Sequence, residues 1–471
     1  MMTDRSALLV DCEDVAWFRD GPAAARGTAA TVGRRIGLGE QRTAELVLAV
    51  AELAANLTKH ATDGSLLLRV LRNRPGSPAD VVAGVEVIAV DKGPGMADVP
   101  AALRDGMSTT GTLGIGLGAV QRLADTFDVH SQPGTGTIQL ARFWPRPAPP
   151  AVSGEPAVGG VTRPISGEQV CGDAWAARTD AGGNVGIDAV SSVRVDGGNV
   201  RTGSDARIDG GGDAGTDAGG HAGTGSGSDA RTDASGRART DGDSHARTDG
   251  GSHARTTHRD ERSAGPDPSA PALPDWSTMA GIRKPRSTTV RRGASVPVQA
   301  AVPGPGEGLL VMSCDGLGHG PLATLAAQAA VNAFRSGTGR TPEQVMEEVH
   351  RALRGTRGAA VAVARLEPDG RVLFCGTGNI TAALVTATSR ANLLSHPGIA
   401  GHQMHRLRTY EYRLPAQGVL VMHSDGLSDR WNVADLAGLL HHSPAVIATG
   451  LLRQAGTRRD DASAVIAKAA G

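Results

Sequence analysis

Five aspartates in the last two-thirds of the chain stand where phosphoryl chemistry would want them. Asp173 falls in VCGDAW, Asp315 in SCDGLGHG, Asp425 in HSDGLSD, and Asp460 with Asp461 in TRRDDAS. Each follows a hydrophobic run and reads as a carboxylate at a strand end, a place where remote parts of a chain can converge on one cleft. Hard divalent cations take several oxygen ligands, and clustered carboxylates supply them. Two such ions about 4 Å apart can hold a bridging water, lower its pKa and clamp a phosphoryl group during in-line attack. A lone Asp-Gly is most often a turn, but four such places, each after a hydrophobic run, ask for a common cause.

A second constellation precedes it. In ELAANLTKH, Glu52, Asn56, Lys59 and His60 share one predicted helix, and Glu52 and Asn56, four apart, project from one face. A carboxylate beside a carboxamide oxygen suits a magnesium ion carrying phosphates, and Glu52 could also orient a nucleophile. After a predicted strand comes Asp91-Lys92-Gly93-Pro94-Gly95-Met96. There the carboxylate can accept from an exocyclic amine, and the glycines let backbone approach a planar ring. The run Gly111-Thr112-Leu113-Gly114-Ile115-Gly116-Leu117-Gly118 then opens a helix, where free N–H groups and the helix dipole make a phosphate cradle. Each piece alone is commonly a turn or a helix entry; the three in this order are far more specific.

The elements that must position these residues can be read from periodicity. Residues 40–62 predict an amphipathic helix, with Leu46, Val50, Leu53 and Leu57 on one face. Strands are expected at 64–72, 84–91 and 135–144, and a helix at 116–127. A Pro-rich link, 146–160, separates this first domain (1–145) from a second (161–471). The second reads as strands at 308–315, 358–366, 370–375, 381–385, 418–424 and 462–467, with helices at 321–335, 342–353 and 443–454. Between them, 178–307 is rich in Gly, Asp, Ala, Arg, Ser and Thr, with irregular copies of SHARTDGG. It holds too little apolar area to offset chain entropy, so disorder is expected. Loop-closure cost grows only logarithmically, so such an insertion need not break the fold, and residues 161–177 are expected to pair with 308–315 after it.

Composition sets the outer bounds. The chain has 471 residues, enough for two or three domains, with 48 basic and 48 acidic side chains. That balance lacks the basic excess of a nucleic-acid binder. Cys12, Cys171, Cys314 and Cys375 are far apart and form no C-x-x-C pair, which points away from a disulfide framework or a zinc site and toward a reducing compartment. No run reaches the roughly 18 apolar residues that span a bilayer, so a cytoplasmic protein with no membrane partner is expected.

Residues 26–144 resemble the GHKL ATPase superfamily. The matches are the Asn box (Glu52, Asn56, Lys59, His60), the first glycine box (Asp91, Gly93, Gly95) and the second (Gly114, Gly116, Gly118). The stretch GLGIGLGAVQRLADTFDVHSQPGTGT is similar to RsbT-type switch kinases. The resemblance implies an α/β sandwich that binds ATP with magnesium and phosphorylates Ser or Thr of a STAS-domain, anti-sigma antagonist or stressosome-type protein. Glu52 would be its general base and Asn56 would hold the metal.

The second half resembles SpoIIE/RsbX-type metal-dependent phosphatases through GEQVCGDAW, SCDGLGHGPLA, CGTGNITAAL, SDGLSD and RRDDAS, in that order. This implies an α-β-β-α sandwich that binds two ions, Mg2+ or Mn2+. Asp315 would be the bridging ligand with the Gly316 carbonyl nearby, Asp425 and Asp460 would complete one metal site, and Asp173 would serve the other. Asp461 is the lesser ligand of its pair. His319 could orient water or the leaving group, or be structural. The whole is expected to be an α/β (α+β) chain that adds and removes phosphate in a partner-switching system. Two alternatives stay open: a phosphatase gated by a domain that only binds nucleotide, and an anti-sigma factor that binds a sigma factor.

Overall fold

A computed structural model describes residues 9–19, 21–73, 81–104, 116–148, 152, 154–179, 195, 196, 199, 200, 308–404 and 406–468. Residues up to 203 and from 296 onward form one compact unit. The second glycine run up to residue 115, including Gly114, lies outside the described residues, as does most of the segment expected to be disordered. Two parts of that segment are described. Arg178 and Thr179 complete a strand, so the expected start at 178 is two residues early, and Val195–Asp196 pairs with Asn199–Val200.

The first half is a five-stranded antiparallel sheet with helices on one face. Its elements are β1 (Val10–Phe18), α1 (Ala25–Arg35), α2 (Glu40–His60), β2 (Ser65–Asn73), β3 (Ala83–Val90), α3 (Val99–Ala102), α4 (Leu117–Leu123), β4 (Thr126–Gln132) and β5 (Gly136–Phe143), in sheet order β1-β2-β3-β5-β4. The helix expected over 116–127 stops at Leu123. TFDVHSQ instead pairs along β5 from Thr126↔Arg142 to Gln132↔Gly136, because sheet contacts outweigh its weak local preference. On β3, Val85, Val87 and Ala89 face α1, α2 and α4, while Ile88 and Val90 face the other way. The period of two in strands makes this split, and both faces are buried.

The second half stacks two sheets. Its elements are β6 (Val158–Arg163), β7 (Asp173–Thr179), β8 (Val195–Asp196), β9 (Asn199–Val200), β10 (Leu309–Gly316), α5 (Pro321–Ser336), α6 (Pro342–Leu353), β11 (Ala359–Leu366), β12 (Arg371–Thr377), β13 (Thr381–Val385), β14 (Arg390–Asn392), β15 (Tyr410–Arg413), β16 (Val419–His423), α7 (Val433–Ala437), α8 (Pro444–Ala455) and β17 (Ala462–Lys468). One sheet runs β15-β12-β11-β10-β7 and the other β14-β13-β16-β17-β6. Val311, Ala362 and Phe374 of the first meet Leu384, Leu420 and Val465 of the second. Helices α5 and α6 cover the outer face of the first sheet.

The outer face of the second sheet is covered by α8, and α8 has two partners. Its sequence, PAVIATGLLRQA, is apolar nearly all round, and every residue except Gln454 is buried, the mark of a helix packed on more than one side. Val446, Ile447, Leu451 and Leu452 share one core with Val421 and Ile466 on one side and with Leu67, Ile88, Ile138 and Leu140 of the first half on the other. The layers therefore run helix, sheet, sheet, α8, sheet, helix. The link expected at 146–160 is not a free tether: Val152, Ala157 and Val158 are buried, and β6 begins at Val158, three residues before the expected Val161.

Charge pairs stitch the same junction. Glu86, 1% exposed, accepts from Arg69 Nε at 2.7 Å and from Arg142 Nε at 2.6 Å, and Arg69 Nη1 donates to the Gly160 carbonyl of β6 at 2.6 Å. Burial alone would raise the Glu86 carboxyl, but the flanking guanidinium groups outweigh it and hold it below its ordinary value. Asp128 accepts from the Ser443 N–H at 2.9 Å and pairs with His442 Nδ1 at 2.6 Å. Burial would raise it, yet His442 and the Ser443 bonds bring it down to about 2.

Two outcomes follow. Glu86→Gln removes the carboxylate shared by two buried guanidinium groups, leaving Arg142 with Glu155 and Arg69 with Asp14, and should cost ~1–3 kcal/mol in urea denaturation, where a loss under about 0.5 kcal/mol, the range of ordinary surface substitutions, would contradict the network. A single cut at an engineered protease site within residues 204–295 should leave two fragments that co-elute under native conditions, because β7 and β10 stay paired. Fragments that separate would show the pairing to be weak.

Candidate functional site

The ends of four strands build the acidic cleft. Strand β7 pairs antiparallel with β10, with Asp173 directly opposite Asp315. Asp173 opens its strand and Asp315 lies near the end of its own, so an antiparallel ladder brings them to the same edge. In the other sheet β16 pairs with β17, His423 opposite Ala464. Asp425 leaves the end of β16 and Asp460 and Asp461 lead into β17, again at one edge. Four chain positions, up to nearly 290 residues apart, thus meet through two strand pairings.

The electrostatics of this edge are those of charge gathered without a counter-ion. Both Asp173 carboxylate oxygens are buried with no hydrogen-bond partner of good geometry, though the Ser424 and Ser463 hydroxyls stand beside them. Burial first, and the neighbouring Asp315 charge second, push Asp173 well above the ordinary carboxylate range. Asp315 is pushed up to about 7 by burial and by the charges of Asp425 and Asp460. Orphaned buried carboxylate oxygens and mutually repelling acids fit a divalent cation. Among the described residues no group of three or more His, Cys, Asp or Glu side chains already stands close enough to hold an ion.

The two adjacent aspartates of RRDDAS part company. Asp461 is 3% exposed; its Oδ1 accepts the Ile165 N–H at 2.8 Å and its Oδ2 the Gly172 N–H at 2.7 Å. Its carboxylate is consumed in fastening the loop before β7. Asp460 is only half-buried and makes one local bond, from the Asp461 N–H at 2.9 Å. The Gly316 N–H donates to the Gly172 carbonyl at 3.0 Å, and a Cβ at Gly316 would run into the Ala323 carbonyl, so only glycine lets α5 lie this close. His319 is exposed, with Nδ1 3.6 Å from Glu168. Asn379 escaped the motif reading: its Nδ2 donates to Asp425 Oδ2 at 2.6 Å. It lies in the CGTGNITAAL segment, whose order drew attention to the stretch while no single residue there had an obvious chemical role.

In the first half, α2 carries Glu52 and Asn56 half-buried, with Lys59 and His60 exposed at its last turn. Asp91 follows β3 and is 9% exposed; its Oδ1 accepts the Gly93 N–H at 2.7 Å, and burial raises its carboxyl despite that bond. Gly95 takes φ +69°, and a Cβ there would strike the Gln132 carbonyl. A Cβ at Gly93 would press on the His60 carbonyl. The close approach these glycines permit is thus to neighbouring backbone, which draws Asp91 against the end of α2. Gly116, φ +76°, precedes α4, and Gly118 is buried within its first turn. The sequence reading also passed over Ser131 and Thr137. Their hydroxyls lie 2.9 Å apart, and Ser131 Oγ accepts the Met96 N–H at 2.7 Å.

The comparisons agree with this division. Residues 21–142 match the family described as histidine kinase-like ATPase domain, and residues 305–470 match stage II sporulation protein E. The serine/threonine-protein kinase RsbT of Bacillus subtilis (strain 168) is 36% identical over 123 residues, 26% of this chain and 88% of that protein. The phosphoserine phosphatase RsbX of the same organism is 23% identical over 162 residues, 34% of this chain and 79% of that protein. A crystal structure of RsbX in complex with magnesium aligns at 20% identity with a TM-score of 0.31, covering 34% of this chain and 81% of that one. No described helix is long and apolar enough to cross a membrane. Through its first domain the chain belongs to the RsbT family of histidine kinase-like ATPases, and it joins to that domain a SpoIIE-type phosphatase domain, the two-part architecture of a partner switch.

Proposed function

We propose that the second domain is a two-metal phosphoserine/phosphothreonine phosphatase and the first an ATP-dependent serine/threonine kinase. Both would act in the cytoplasm on STAS-domain proteins of the anti-sigma antagonist or stressosome type. The observation that carries the phosphatase reading is the cross-strand pair Asp173–Asp315, in which both Asp173 oxygens are buried without a well-placed partner and both carboxyls are raised by burial and acidic neighbours. Asp173, Asp315, Asp425, Asp460 and the Gly316 carbonyl would hold Mg2+ or Mn2+, whose chemistry is to activate water and neutralise phosphoryl oxygens. Asn379 would orient Asp425, Asp461 would fix the loop that carries Asp173, and His319, exposed beside Glu168, would steer water or the leaving group. In the first domain Glu52 would serve as general base and Asn56 as magnesium ligand. Lys59, His60, Asp91, Gly93, Gly95, Gly114, Gly116 and Gly118 would frame ATP.

A second reading has one observation in its favour. Arg453 of α8 donates from Nη1 to the Asp91 carbonyl at 3.4 Å. The strand end assigned to the adenine thus touches the phosphatase helix, and nucleotide occupancy could gate hydrolysis. A sigma factor as direct partner finds no feature of its own in the site.

With a phosphorylated STAS-domain protein and Mg2+ or Mn2+, wild type should release phosphate and Asp315→Ala should fall about 100-fold or more; equal release by both would defeat the phosphatase assignment. With labelled ATP, Glu52→Ala should lose transfer by ~10²–10⁴-fold while nucleotide binding persists. No transfer by wild type, with binding intact, selects the gating reading. In the metal-free protein Asp315 keeps its proton between its ordinary 3.8 and about 7. Its contribution to stability therefore declines as pH rises through that window. Saturating Mg2+ should then raise Tm more at about pH 8 than at about pH 5.5, and equal increments would show that the ion does not compete with this proton.

A further inference from the structure

A pocket opens at the junction of the two domains, apart from both acidic and nucleotide residues save Asp91. It is lined by Arg19 after β1, Asp63, Asp91 and Lys92 of the first half, and by Arg163, Arg453 and Arg458 of the second, with Trp17, Ser65, Val90, Thr449 and Leu452 completing the wall. Among the described residues, five cationic side chains meet two carboxylates, an excess of three positive charges. The carboxylates are already engaged: Asp63 pairs with Arg458 and lies 3.6 Å from Lys92 Nζ, and Asp91 Oδ1 holds the Gly93 N–H.

Two of the guanidinium groups lack partners for part of their donor set. Arg453 is 7% exposed, and its Nε and Nη2 are buried without a hydrogen-bond acceptor; Arg163 Nη2 is likewise buried and unpartnered. Burial, with Arg19 and Arg458 close by, lowers Arg163 to about 10. Unsatisfied buried donors of one sign are costly unless something of opposite charge meets them. Guanidinium forks match the oxygens of a tetrahedral oxyanion in pairs, and an excess of three charges suits a dianion better than a carboxylate.

We infer that this pocket binds a small phosphate-class oxyanion, inorganic phosphate or a phosphate monoester, held by Arg453 and Arg163 between the kinase and phosphatase domains. Its walls come from the strand end that carries Asp91 and from the loop that leads to Asp460. Occupancy would therefore tie the two domains together beside Asp91 and the loop that leads to Asp460. This does not depend on which reaction either domain performs.

The test is calorimetric titration of the full chain in EDTA, at fixed ionic strength, with inorganic phosphate and separately with glycerol 3-phosphate. Wild type should bind one equivalent of at least one of the two, and the tighter ligand identifies the source of the phosphate group. Arg453→Met and Arg163→Gln should each weaken binding about tenfold or more, while Asp315→Asn and Asn56→Ala should leave it unchanged. Should Arg453→Met fail to fold, Arg163→Gln, only half-buried, carries the comparison. Absence of binding by either ligand, equal binding by the arginine variants, or loss in Asp315→Asn or Asn56→Ala would overturn the site.

Discussion

Helix α8 is the element on which the arrangement of the rest depends. A helix that is apolar on every side cannot face water, so it must be enclosed by two apolar surfaces. Here those surfaces belong to different domains: the β16–β17 face of the phosphatase sandwich and the β2-β3-β5 face of the ATPase sheet. A single-domain phosphatase of this layering would leave one side of α8 exposed, and an ATPase sheet alone would leave Leu67, Ile88, Ile138 and Leu140 uncovered. Each half supplies what the other lacks. Covering an apolar side chain of this kind is worth roughly 1.5–3 kcal/mol, so several at one junction outweigh the modest cost of holding two domains in one orientation.

That enclosure has consequences at both sites. Asp91 sits at the end of β3, whose Ile88 and Val90 pack on the α8 core, and its carbonyl accepts from Arg453 on α8 itself. The chain leaving α8 passes through Arg458, paired with Asp63 of the first domain, and then reaches Asp460 and Asp461. Only a short stretch therefore separates the nucleotide-side carboxylate from the metal-side ones. The Asp128–His442–Ser443 contacts and the bond from Arg69 to the Gly160 carbonyl add directional bonds across the same junction.

Much of this was legible in the sequence, for reasons that can be named. The face made by Leu46, Val50, Leu53 and Leu57 predicts α2 with its first residue, Glu40, and all four are buried. The motifs around Asp173, Asp315, Asp425 and Asp460 pointed to one cleft because four of them recur after apolar runs, although each alone reads as a turn. The expected pairing of 161–177 with 308–315 across the long insertion holds for Asp173–Thr179, with the register setting Asp173 against Asp315, whereas Val161–Arg163 belong to β6 and pair with β17 instead. What escaped were features without local signatures. Strand β4 hides in TFDVHSQ, whose polar alternation says little until β5 lies beside it. Asn379 gains meaning only from Asp425 across the cleft. The interdomain core could not be read, since Ile88 and Leu140 look like any buried strand residues, and the total burial of α8 looks like any core helix. The cationic pocket is assembled from five places in the chain and has no motif at all.

The claim that most of this account rests on is that the ATPase and phosphatase domains fold as one body around α8. Differential scanning calorimetry of the intact chain tests it directly. The shared core predicts a single cooperative transition in which the calorimetric and van't Hoff enthalpies agree. Two separable transitions, with one domain unfolding while the other keeps its native signals, would contradict it.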